Sequence, residues 1–222
     1  MRFAPFLLAL SMLGAPAAAQ DITAMQMQAR TMAGREPLGD PVVAHDFAVC
    51  VARKQGGTGI LEWLPHTNDE SDFVFRTSRY GEVNCGPSNR RPVVGARFMR
   101  GAAAEYLLKN PDRQRGADIF ARPTNDELAR LDPDTRSAIV FIEFGECAAK
   151  VDPAGVNALL ETEVNSDAEA AAFSAVVPAF GGCVPEGLNF GIPPLLLRAY
   201  LAEGAYRNLI TDQAASQREA AE

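Results

Sequence analysis

Phe47-Ala48-Val49-Cys50-Val51-Ala52 returns, at an offset of 97, as Phe144-Gly145-Glu146-Cys147-Ala148-Ala149. Further on, Cys85-Gly86-Pro87 returns at an offset of 98 as Cys183-Val184-Pro185. The same offset lays Arg100, Ala104 and Glu105 on Arg198, Ala202 and Glu203. Both stretches therefore read F-x-x-C-x-A and then C-x-P-x12-R-x-x-x-A-E. The cysteine spacings, 35 and 36, and the order of every anchor repeat together. Self-similarity dictates fold more strongly than any local motif, and this period is far longer than a solenoid unit. The reading is duplication of one small subdomain.

Each copy reads as helical. Val43, Phe47, Cys50, Val51 and Lys54 fall at i, i+4, i+7, i+8 and i+11, and Val140, Phe144, Cys147, Ala148 and Val151 take the same steps. That spacing is one face of an amphipathic helix. Asp152-Pro153 supplies a cap and a first residue for a helix through Leu160. Asp167 is read as the cap of a helix from Ala168 to Phe180, stopped by Gly181-Gly182. A last helix starts near Pro194, and its partner runs from about Val94 to Leu108. Thr124-Asn125-Asp126-Glu127 has the form of a capping box. Gln55-Gly56-Gly57-Thr58-Gly59 reads as a flexible turn. Ser71 to Thr77 looks like a strand by composition, but its repeat partner is helical and decides the assignment in favour of helix. Trp63, beside Ile60, Leu61 and Leu64, is expected in the core.

The fold class that follows is mainly α: two tandem related helical subdomains, each with one internal disulfide. The expected organisation is a signal peptide (1–19), an N-terminal arm (20–41), helical repeat 1 (42–110), a linker (111–137), helical repeat 2 (138–210) and a C-terminal tail (211–222). Arg2, the apolar run from Phe3 to Pro16, and Ala17-Ala18-Ala19 have the layout of a secretory signal, with the cut expected after Ala19. The expected location is periplasmic or secreted, where thiols oxidise. Four cysteines allow three connectivities. Duplication favours Cys50–Cys85 and Cys147–Cys183, because an ancestral single copy would hold only one such pair.

Composition excludes several functions. Hydrophobic residues make up 47% and charged residues 22% of 222, too apolar for an intrinsically disordered chain. The formal charge of -7 argues against a nucleic-acid binder that relies on a basic field. No transmembrane segment is expected in the mature protein. No C-x-x-C, G-x-S-x-G or P-loop spacing occurs, so dithiol redox, serine-nucleophile and nucleotide chemistry lack their motifs. A metal site from His45, Asp46, His66 and Asp69 can be drawn, but nothing in the spacing holds its two parts at ligand distance. No metal, cofactor or catalytic residue is assigned.

Charge is unevenly shared. Residues 45–109 carry nine basic and seven acidic side chains, and residues 142–207 carry three and nine. Arg90, Arg91, Arg97 and Arg100 mark a candidate anion-binding patch for an anionic partner of repeat 1, since guanidinium groups grip planar anions with paired hydrogen bonds. Glu105 and Glu203 are equivalent carboxylates, each with a base four residues on, Lys109 and Arg207. They read first as structural ion pairs.

The doubled F-x-x-C-x-A and C-x-P…R-x-x-x-A-E pattern resembles a family of uncharacterised exported bacterial proteins with duplicated cysteine-paired helical units. The resemblance implies export and a helical fold, and brings no activity or site residues. The expected function is a non-enzymatic binding or structural protein of the periplasm. The alternative is a hydrolase-type enzyme using carboxylates or a metal at the junction of the repeats.

Overall fold

The structure is a computed structural model. It describes residues 40–63, 85, 94–114, 124–131, 133–184 and 192–220, and all regular structure among them is helical. Proline and short polar side chains set most of the helix starts. Asp40 accepts from the Val42 N–H, with Pro41 as first residue of α1 (Pro41–Gln55). Asp152 accepts from the Gly155 N–H, with Pro153 opening α6 (Pro153–Leu160). These are the N-terminal arrangements that the missing proline N–H and the orphan amides of a first turn favour. Between the two lie α2 (Gly57–Trp63), α3 (Ala96–Leu108), α4 (Asn125–Arg130) and α5 (Pro133–Val151). After α6 come α7 (Asp167–Val176), a 3-10 segment (Val177–Cys183) and α8 (Pro194–Glu219).

Several expectations need correction. Gly57-Thr58-Gly59 is not a flexible turn but the opening of α2. Only Gly56 links α1 to α2, at φ 73°, a conformation that glycine adopts without steric cost. The cap of α7 is Ser166, one residue before the expected Asp167. Its hydroxyl accepts from the Glu169 N–H at 3.1 Å, and Glu169 reaches back to the Asn165 N–H at 2.7 Å. Pro178 lacks an N–H, and from Val177 the backbone tightens to 3-10 and runs through Gly181-Gly182 to Cys183. Residues 211–219, expected as a loose tail, continue α8, because a helix already nucleated by its packed part propagates cheaply. Likewise α5 begins at Pro133, inside the stretch expected as linker, and α1 begins at Pro41, the last residue of the expected arm. The Thr124 capping box forms: Thr124 N–H donates to Glu127 at 2.7 Å, and its hydroxyl accepts from the Glu127 N–H at 3.3 Å. The Ser71–Thr77 assignment lies outside the described residues, as does the side chain of Trp63.

One core draws on both halves of the chain. Ala48, Val51 and Leu107 from the first half share it with Ala148, Leu159 and Tyr206 from the second. The buried face of α1 is Ala44, Ala48, Val51 and Ala52, and Val43 is 41% exposed, so the helix is turned by about one residue from the expected face. Helix α8 packs along both α3 and α5, and α3 packs in turn on α1 and α2. Small residues let these axes approach. A Cβ on Gly101 of α3 would overlap Ala199 of α8, and one on Gly204 of α8 would overlap the backbone of Gly145 in α5.

Two disulfides fasten the layers. Cys50 of α1 bonds Cys85, and Cys147 of α5 bonds Cys183, each with Cα atoms 5.7 Å apart. That is the expected connectivity, and the closed pairs fit an oxidising compartment. No helix among the described residues is long and apolar enough to cross a membrane.

Candidate functional site: a crossed ion-pair cluster and its cleft

The close crossing of α3 and α8 positions two arginines and two glutamates. Both helices carry R-x-x-x-A-E, so each arginine lies five residues before a glutamate of its own helix. At the crossing each arginine serves the glutamate of the other. Arg100 Nε and Nη2 donate to Glu203 at 3.1 and 2.6 Å. Arg198 Nε and Nη2 donate to Glu105 at 3.0 and 2.8 Å. The exchange is reciprocal down to the backbone: Arg100 Nη1 donates to the Leu61 carbonyl and Arg198 Nη1 to the Leu159 carbonyl. All four side chains are at most 5% exposed. Bidentate geometry is what a buried guanidinium–carboxylate pair needs to offset desolvation.

The two ends differ beyond that shared pair. Glu203 also accepts from Arg207 Nε at 3.1 Å, and Arg207 reaches the buried Glu146 at 3.4 Å. Arg198 carries a third arm to Glu169 at 3.0 Å. Glu105 accepts from Lys109 Nζ at 3.1 Å and lies 3.2 Å from His45 Nε2. Each Glu105 oxygen thus has two donors, Lys109 and Arg198 on one, Arg198 and His45 on the other. Burial alone would raise its pKa. The hydrogen bonds from His45 and Arg198, with their charges, reverse that and hold the carboxyl far below the ordinary range. Burial works against the Arg198 charge too, and is outweighed by Glu105 and Glu169, which raise its pKa.

Glu105 is also where the open space lies. It lines a void of about 10 Å³ with His45 and Arg198, room for one water. It also lines a cleft of about 660 Å³ between α3, α5, α6 and α8. The cleft walls include Leu108, Val156, Leu160 and Leu209, and its polar groups include Lys109, Lys150, Glu161 and Asp212.

The sequence-derived candidates fall in different places. Arg100 is buried on Glu203. Arg97 donates from Nη1 to the Tyr200 hydroxyl at 2.7 Å, with its guanidinium 6.0 Å from the centre of that ring. Burial raises the Tyr200 pKa despite that arginine. Arg90 and Arg91 lie outside the described residues, as do His66 and Asp69, the proposed companions of His45. Among the described residues no group of three or more His, Cys, Asp or Glu side chains could hold a metal ion. Sequence reasoning missed Glu146, Glu169 and the cleft. Only Glu169 left a signal, as the fourth residue of Ser166-x-x-Glu169.

Compared with known protein families, curated proteins and solved structures, the chain matches none.

Proposed function

We propose that this is an exported, non-enzymatic binding protein of the periplasm, made of two copies of one cysteine-paired helical unit and binding through the cleft beside Glu105. The reading rests on one observation. The buried carboxylate that a hydrolase would need at the junction of the halves already has two donors on each oxygen. A carboxylate so occupied and so acidic has no lone pair to act as base and no proton to give at neutral pH. The cluster is a brace, and the cleft beside it is of ligand size. The N-terminal signal pattern and the two disulfides support export, and the reciprocal Arg–Glu exchange supports duplication. The resemblance to exported proteins with duplicated helical units points the same way.

Incubating the oxidised protein with periplasmic extract, then analysing the protein-bound and free fractions by mass spectrometry, tests this reading. One retained species near one equivalent, with nothing converted over time, is the expected result. Conversion of any component in many-fold excess over the protein would overturn it. So would an extract returned unchanged with nothing retained.

A further inference from the structure

The lining of the cleft determines what chemistry fits it. Beside the Glu105–Arg198 pair the lining carries two side chains of each sign, Lys109 and Lys150, Glu161 and Asp212. Lys109 Nζ donates to Glu105 and to the Leu160 carbonyl at 2.7 Å. An ammonium has three N–H groups, so one remains for a ligand, and the side chain is 38% exposed. Asn208 donates from Nδ2 to the Glu146 carbonyl at 2.9 Å, which leaves its own side-chain carbonyl as an acceptor on the cleft wall. Between these groups the wall is aliphatic, from Leu108, Val156 and Leu209. A purely anionic guest would meet Glu161 and Asp212, and a purely cationic one would meet the two lysines. A neutral apolar guest would desolvate four charges without return.

We infer that the cleft binds a small zwitterion with an apolar body, namely an apolar amino acid or a short peptide with both ends free. The carboxylate goes to the remaining N–H of Lys109. The ammonium goes to Asp212 and the Asn208 carbonyl, one turn apart on α8, and the aliphatic body packs on Leu108 and Leu209. This inference rests on the binding reading above and names its ligand class.

Titration calorimetry of the full oxidised chain with leucyl-leucine, its N-acetyl derivative and its C-terminal amide tests the assignment. Leucyl-leucine is expected to bind saturably at one site. Blocking either end removes a charge-assisted contact and should weaken binding by about tenfold or more. Lys109→Met should weaken leucyl-leucine to the same degree. So should Asp212→Asn, a change on an exposed position of α8 that leaves the ion-pair cluster untouched. Circular dichroism checks that both variants fold. Equal binding of the three probes would overturn the zwitterion, as would leucyl-leucine binding that neither variant alters. Absence of saturable binding up to about 10 mM would overturn it as well. In that last case a different species retained from periplasmic extract would leave the broader binding reading standing, whereas an empty protein would end both.

Discussion

Gly101 and Ala199 meet where α3 crosses α8, and each directly follows the arginine of an R-x-x-x-A-E stretch. The glycine has no room for a methyl group, because a Cβ there would overlap both the backbone and the side chain of Ala199. Backbone cannot yield as a flexible side chain does. Gly101→Ala must therefore push the helices apart and stretch both bidentate pairs at once. We expect a loss of about 3 kcal/mol or more in chemical denaturation, at the upper end of overpacking costs. Ala199→Gly only removes a methyl group from the same contact and should cost about 1 kcal/mol, the helix-propensity difference.

The crossed pairing predicts which residues are energetically coupled. Arg100 shares a helix with Glu105 but donates to Glu203. Glu203→Gln should cost about 3–5 kcal/mol, as breaking one side of a buried pair does, and Arg100→Met should cost about as much. The Arg100→Met/Glu203→Leu double variant should recover a large part of that sum. A double-mutant cycle between Arg100 and Glu105 should show much weaker coupling. The reverse ranking in urea denaturation would mean that each arginine serves its own helix in solution.

The Asp152 cap, the start of α8 near Pro194 and both cysteine pairs were legible because the caps are local and the two cysteine spacings, 35 and 36, match. The exchange of arginines was not, because Lys109 and Arg207 stand at i+4 from Glu105 and Glu203 and already suffice as partners in an isolated helix. Only the approach of Gly101 to Ala199 brings the opposite arginine closer. The cleft was illegible for a different reason: its walls come from four helices far apart in sequence. The end of α8 was missed because residues beyond Ile210 are mostly exposed and carry no apolar period to read.

Acid should unfold the protein partly through Glu105. Its folded pKa lies far below the ordinary carboxyl value of 4.5, which the unfolded chain retains. Below that value the unfolded form takes up a proton and the folded form does not. The contribution is therefore complete above about pH 5 and declines as pH falls from there toward the folded pKa. One such group steepens the stability profile by at most about 1.4 kcal/mol per pH unit. Glu105→Gln should be less stable at pH 7 and should show a shallower decline between pH 5 and 2.5. Parallel thermal-denaturation profiles for the two proteins would assign the acid sensitivity to other groups.

The two disulfides close loops of nearly equal length, with separations of 35 and 36 residues. In the chain-entropy account each should contribute about 3–4 kcal/mol, because each removes similar freedom from the unfolded chain. The folded surroundings differ, since Cys147 sits on α5 directly after Glu146, which pairs with Arg207, whereas Cys50 on α1 directly follows Val49. If the unfolded chain sets the effect, Cys50→Ala/Cys85→Ala and Cys147→Ala/Cys183→Ala lower the stability in urea by similar amounts. If the second pair costs clearly more, the excess measures what that bridge does for the Glu146–Arg207 contact. Repeating both measurements in Arg207→Met separates the two cases: the excess should vanish there, and its persistence would place the asymmetry elsewhere in the second half.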